Sequence, residues 1–447
     1  MTIMETRAQL DRGETTSRAL VEAALARIAD VSGEGARAMT EVYAETARAA
    51  ADAADLLRTS GYVASPLAGM PVTVKDLFDI GGHTTRAGSI VLAGAAPASA
   101  DATIVVRLRA AGAVVVGKTN MTEFAYSGLG INPHYGTPRN PYDRAVGRIP
   151  GGSSSGAAVS VSDGMAIAAI GTDTGGSVRI PAALCGITGF KPTARRVPRT
   201  GAYPLSFTLD SVGPLAADVA SCAIVDAILA GETPPVPAAW PLAGRRFLAP
   251  TNYVLADCDA DVLAARAAAL DIIRAAGAVV DEDVLPVLDR TPSLQANGGF
   301  SRAEAYWLHR AMLERSPEKY DPQIARRIVP GKEMTAADYL DLVDLRARFI
   351  ADFTQSTERY DALLWPTVPI VAPSIGALEA DDAEYARVNL LTLRNTSIMN
   401  AADGCSVSLP VHRAGGPPVG LMVSARGGED ARLLRIAAAV EAAIRRA

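Results

Sequence analysis

The chain has little lysine, cysteine or histidine, no long apolar run and no cluster of basic charge, and each scarcity excludes something. Its 447 residues include only four cysteines, Cys185, Cys222, Cys258 and Cys405, far apart and without C-x-x-C spacing. That argues against a disulfide framework and a cysteine-bound zinc, and leaves buried thiols as the expectation. No hydrophobic stretch reaches the roughly 18 to 20 residues that span a bilayer, so no membrane segment is expected. The opening MTIMETRAQLDRGETTSRAL is studded with charge and lacks an apolar core; it does not read as a secretory leader, and a cytoplasmic address is expected. Net charge is −5, with basic residues scattered in ones and twos, which offers no footprint for a nucleic-acid backbone. Lysine occurs only as Lys75, Lys118, Lys191, Lys319 and Lys332, so a lysine beside a motif is informative.

What is present reads as a globular α/β chain, 49% hydrophobic and 20% charged. Residues 16–30 and 40–58 carry apolar residues at helical spacing, whereas MPVTVK alternates and predicts a short strand ending at Lys75. DATIVVRLRAA then predicts a helix from 101, stopped at Gly112 and followed by the β-branched AVVV. The same alternation recurs as GAAVSVSD, a short helix, and MAIAAI at 165–170, a strand leading into GTDTGGS. Helices alternating with short buried strands predict helices covering a mixed, mostly parallel sheet. A proline-rich stretch at 230–243 marks the one candidate linker or hinge; 258–276 reads as a helix, DALLWPTVPIVAP as a strand stopped by prolines, and 429–446 as a closing helix.

The chemistry concentrates between residues 147 and 193, where two serines are framed by glycine: Gly151 and Gly152 precede Ser153, and Gly175 and Gly176 precede Ser177. Between them lie one helix, rising about 14 Å, and one strand, about 20 Å, so the chain can go out and return with both serines at one sheet edge. Glycines at 175 and 176 let successive backbone N–H groups converge on one point, a pocket for a developing oxyanion, where each donor contributes about 3 to 4 kcal/mol in a transition state. A serine nucleophile also needs a base. None of His83, His134, His309 and His412 pairs recognisably with a glycine-framed serine. Lysine can serve if neutral; burial lowers its pKa by up to about 3 to 5 units, and Lys75 ends an apolar strand.

Together, PVTVKD with Lys75, GKTNMTEF at 117–124, PGGSSSG with Ser153 and GTDTGGSVRIPAALCGITGFKPT with Ser177 closely resemble the amidase signature family. The resemblance is dense over about 65–215 and looser in DALLWPTVPIVAP and GPPVGLMVSA. It implies an α/β/α sandwich in one domain over 1–447, helices within 1–60 preceding the core, and a Ser177–Ser153–Lys75 relay in which Ser177 attacks an amide carbonyl. It also implies a cis peptide at Ser153 and oxyanion donors on the backbones of Thr174, Gly175, Gly176 and Ser177. No metal or organic cofactor is implied, and the partner is a small-molecule amide or amide-like urea, with self-association as a homodimer left open. Ser155 stands where the family usually has glycine. By resemblance the EFAYSGLG segment approaches the acyl pocket, which Tyr126 then lines, although an isolated aromatic reads equally well as core.

Other readings compete. GAVVVGKT at 112–119 fits the P-loop pattern, but its strand fills the loop positions. GSSSG at 152–156 fits a nucleophile elbow, with Asp403 and His412 downstream, but Pro150 precedes it where a strand is needed. Within the family the rival is the glutaminase subunit of a tRNA-dependent amidotransferase; AYSGLGINPHYGTPRNP does not resemble the corresponding stretch of that subunit, which favours a stand-alone amidase. Lys118, Lys191, Asp173 and Arg179 read as loop anchors, Cys185 as a small buried hydrophobe, and Thr172 is assigned no chemistry.

Overall fold

The computed structural model describes all residues except 235–239. Eleven strands form one sheet: β1 (Met39–Val42), β2 (Pro71–Lys75), β3 (Val114–Thr119), β4 (Ala168–Asp173), β5 (Thr188–Lys191), β6 (Ser211–Ala216), β7 (Arg246–Pro250), β8 (Val279–Asp283), β9 (Ala362–Pro366), β10 (Cys405–Pro410) and β11 (Gly420–Ala425). Their order across the sheet is β1-β3-β2-β4-β6-β5-β10-β11-β9-β7-β8. The sheet is mixed, as expected, but parallel pairing is confined to two blocks, β3-β2-β4 and β9-β7-β8. The remaining six pairings are antiparallel. The parallel share is thus smaller than the helix–strand alternation suggests, because β5, β6, β10 and β11 pair without the helical crossovers that parallel neighbours require.

Helices cover both faces, which is why β2, β3 and β4 are buried at every residue and read as continuous apolar runs. Val72, Val74, Val115, Ala168 and Ile170 feed the larger core. Val114, Val116 and Ala169 pack with Ala157–Val159 of the helix Ser155–Ser162 in a second core on the other side.

Three elements differ from the sequence reading. Residues 39–42 pair antiparallel with β3, and the helix expected from 40 begins at Ala44; cross-strand pairing of Glu41 with Lys118 and Val42 with Gly117 overrides the helical spacing. The strand expected at 165–170 runs three residues later, bringing Thr172 and Asp173 into the sheet. An additional helix, Ile3–Asp11, opens the chain, with Thr2 and Glu5 closing a capping box at its start. The expected linker at 230–243 falls partly on residues outside the described set; on its flanks Gly231 caps the helix Val219–Ala230, and the Trp240 ring lies between Arg245 and Arg435. Among the described residues no helix is long and apolar enough to cross a membrane.

Candidate active site

β2 and β4 are parallel neighbours with Val74 opposite Ile170, so their carboxyl ends open on the same edge and set Lys75 beside Thr172. From Asp173 the chain turns through 174–178, carrying Ser177, into the helix Arg179–Cys185. The out-and-back path between the two serines closes as expected: the Ser154 N–H donates to the Ser177 carbonyl at 3.2 Å. The Gly152–Ser153 peptide is cis.

Lys75 and Ser153 are in direct contact, Nζ lying 2.8 Å from Oγ, and Thr172 Oγ1 is 2.9 Å from the same nitrogen. All three side chains are buried, and Lys75 is wholly inaccessible. Burial pulls the Lys75 ammonium down from its usual 10.5 to about 7, with the Asp210 and Asp173 carboxylates resisting the fall. A lysine so placed is neutral about half the time near neutral pH, which qualifies it to accept a proton. Thr172, to which the sequence assigned nothing, is therefore the second group holding this amine. No hydrogen bond joins the Ser153 and Ser177 hydroxyls among the described residues. Ser177 instead faces a cavity of about 470 Å³ that Thr174, Gly175 and Tyr126 also line.

The loop before Ser177 is pinned from several directions. Asp173 Oδ1 accepts the Gly176 N–H at 2.9 Å and Asn400 Nδ2 at 2.9 Å, and Arg179 grips both Asp173 oxygens at 2.8 and 3.0 Å. Burial pushes the Asp173 carboxyl up, but Arg179, Lys191 and Asn400 outweigh it and hold it at about 2. Thr396 Oγ1 donates to the Gly175 carbonyl at 2.6 Å, and Thr174 Oγ1 to Asp210 at 2.5 Å. Gly176 has φ +137°, and a Cβ there would lie 2.1 Å from Thr396 Oγ1, so only glycine fits. This geometry corrects one expectation. The Gly176 N–H is occupied by the Asp173 carboxylate and is not free to donate into the cavity; the amides of Thr174, Gly175 and Ser177 carry no hydrogen bond among the described residues. The fixed anion exploits the same positive-φ turn that suggested convergent donors.

The anchors behave as read. Lys118 donates to Thr84 O and Thr85 Oγ1 near Asp76, Lys191 to the carbonyls of Pro192 and Gly404, and Arg179 to Asp173 and Asn400 Oδ1. The Cys185 thiol is buried against Pro150 O, and burial pushes its pKa up, away from nucleophilic use. Ser155 is buried with Oγ 3.5 Å from Asn120 O and touches neither Lys75 nor Ser177 through it. The rival motifs lack their context. In 112–119 the strand β3 occupies the would-be phosphate loop. No strand precedes Ser154, whose hydroxyl approaches Thr172 O, while His412 lies against Gly186. Tyr126 both lines the cavity and is buried in the core, its ring under the Arg327 guanidinium at 4.6 Å. Sequence reasoning missed Asp210, Arg302, Arg327, Thr396 and Asn400, which sit in helices and loops whose only local signal is apolar spacing.

The amidase family model matches residues 19–434. Among curated relatives, a glutamyl-tRNA(Gln) amidotransferase subunit of Roseiflexus sp. (strain RS-1) is 37% identical, covering 98% of this chain and 95% of that protein. The 2-amino-5-chloromuconic acid deaminase of Comamonas testosteroni is 36% identical, covering 99% and 96%. A crystal structure of an amidase superposes with a TM-score of 0.88 at 35% identity, covering 99% of both chains. With a match across nearly its whole length and relatives well above the identity at which family is secure, the chain belongs to the amidase signature family, hydrolases of carbon–nitrogen bonds in amides.

Proposed function

We propose that this amidase cleaves a carboxylic amide, or an amide-like urea, to carboxylate and ammonia or amine through an acyl-enzyme on Ser177. The observation that carries the reading is the buried 2.8 Å contact between Lys75 Nζ and Ser153 Oγ at the mouth of the loop bearing Ser177. As the Ser177 Oγ–carbon bond forms, its proton passes to Ser153 Oγ and the Ser153 proton to neutral Lys75. The amides of Thr174, Gly175 and Ser177 are the donors free to receive the oxyanion. The carbon–nitrogen bond then breaks as Ser153 protonates the departing nitrogen and regains a proton from Lys75. Water, deprotonated by the same relay, cleaves the ester and frees Ser177. An ammonia-release screen of the purified protein over aliphatic, aromatic and ureido amides tests this. Ser177→Ala and Lys75→Ala should each abolish turnover, and a fluorophosphonate should label Ser177 in the parent; undiminished labelling in Lys75→Ala would remove that lysine from the role of base.

The likeness to the glutamyl-tRNA(Gln) amidotransferase protein supports a second reading, a glutaminase acting within a complex. It predicts inactivity until partner subunits are added, whereas the stand-alone reading predicts ammonia release from the isolated chain.

A further inference from the structure

The cavity beside Ser177 is lined by three arginines, Arg302, Arg327 and Arg346, and by no aspartate, glutamate, lysine or histidine. Elsewhere this arginine-rich chain pairs its guanidinia freely with carboxylates, as Arg37 does with Glu34, Arg144 with Asp163 and Arg196 with Asp226. Arg346 is satisfied differently, donating to the carbonyls of Ala401 and Asn400 at 3.1 and 3.2 Å. Arg302 and Arg327 stand apart: among the described residues neither forms an ion pair, and the buried Nε of each has no hydrogen-bond partner. Both converge on Tyr126, Arg327 over the ring face at 4.6 Å and Arg302 against the hydroxyl. The carboxylate nearest in sequence to Arg302, that of Glu304, is turned away and consumed by Ser206, Thr208 and Tyr339.

Both side chains are part-buried, and with no carboxylate in the lining their charge makes the cavity a field that favours an anion. The two guanidinia lie in the same cavity as the nucleophile, so an anion drawn to them is placed to be part of the substrate. We propose that the amide cleaved at Ser177 bears a carboxylate of its own, held by Arg302 and Arg327 beside Tyr126. The inference rests on the amide-hydrolase reading above and names its substrate class. Guanidinium forks match a planar carboxylate bidentately. Leu205, Leu209, Phe300 and Leu393 supply apolar wall, suited to a short hydrocarbon between the carboxylate and the amide. The product is then a dicarboxylate plus ammonia. A free amino acid amide fits less well, because its ammonium meets cations and no carboxylate in the lining; this weighs against glutamine as substrate.

The test compares kcat/KM for succinamate, glutaramate and adipamate with that for butyramide, valeramide and hexanamide, in which methyl replaces the carboxylate. At least one acid–neutral pair should show a preference of about tenfold or more for the acid, and Arg302→Gln and Arg327→Gln should each cut that preference about tenfold. Glutarate should also slow fluorophosphonate labelling of Ser177 in the parent and protect both variants less, a readout independent of turnover. The proposal is overturned if neutral amides are cleaved as well as their acid counterparts throughout, or if preference and protection are the same in parent and both variants. Failure of the underlying reading looks different: Ser177 is not labelled and no amide, acid or neutral, is cleaved.

Discussion

Replacing Lys75 by methionine should destroy activity and yet stabilise the protein near neutral pH. Free lysine titrates at about 10.4, and in the fold burial lowers Lys75 to about 7. Between these two values the unfolded chain binds the proton that the folded chain lacks, so stability rises with pH across that window. Linkage puts the penalty carried by Lys75 at about 4 kcal/mol at about pH 7, and at about 2 kcal/mol at about pH 9. Methionine fills a similar volume without the charge, but strands the Ser153 and Thr172 hydroxyls, at about 1 kcal/mol each. The variant should therefore be about 2 kcal/mol more stable than the parent at about pH 7 and about equal to it at about pH 9. Urea unfolding at the two pH values reads this difference, and the hydrogen-bond loss cancels between them. With five lysines in the chain, lysine-selective isotope labelling gives five side-chain NMR signals, and the one missing in Lys75→Met is Lys75. Its titration midpoint should coincide with the acid limb of kcat/KM, below which the rate falls about tenfold per pH unit. A Lys75 signal titrating near the free-lysine value, or a stability difference independent of pH, would refute the reasoning.

Arg179→Met leaves the Asp173 carboxylate buried and unpaired, and should destabilise the fold by about 3 to 5 kcal/mol in urea unfolding. Because Arg179 helps hold Asp173 at about 2, that stabilisation is complete above about pH 4 and lost as pH falls toward 2, so parent and variant should converge in acid. Gly176→Ala places a methyl against Thr396 Oγ1 at a backbone angle that alanine resists; kcat should fall about 100-fold as the donor loop shifts. Ser154→Ala and His412→Ala should each keep most ammonia release, and joint loss would reinstate the nucleophile elbow.

The legible part of the site is the part written contiguously. Ser153, Ser177 and their glycines lie within one helix and one strand of each other, so element lengths permit their meeting; Lys75 fits as an amine ending an apolar strand, but its pairing with Ser153 was legible only through the family resemblance. The strand at 165–170 was recognisable, but its end was not, since Thr172 and Asp173 continue it only by pairing with Val212 and Ser211 of β6. Asn400 and Thr396 lie on the helix Asp382–Ala401, more than two hundred residues from the loop they pin, and no periodicity announces such a partner. Arg302 and Arg327 were invisible for another reason: in a chain whose cations are nearly all arginine, their composition is unremarkable, and what distinguishes them is their place beside Ser177 without an ion pair among the described residues.

The sheet order has a consequence for synthesis. β10 and β11, the last of the eleven strands in chain order, lie between the two parts of the sheet, and within the sheet β1 to β6 are joined to β7, β8 and β9 through them. Translation delivers the nucleophile and its lysine early, while the helix carrying Thr396 and Asn400 leaves the ribosome just ahead of these closing strands. A nascent chain that has reached Ser177 thus carries these chemical groups before the brace on its donor loop has been made, and the two parts become one sheet only when β10 and β11 dock between them.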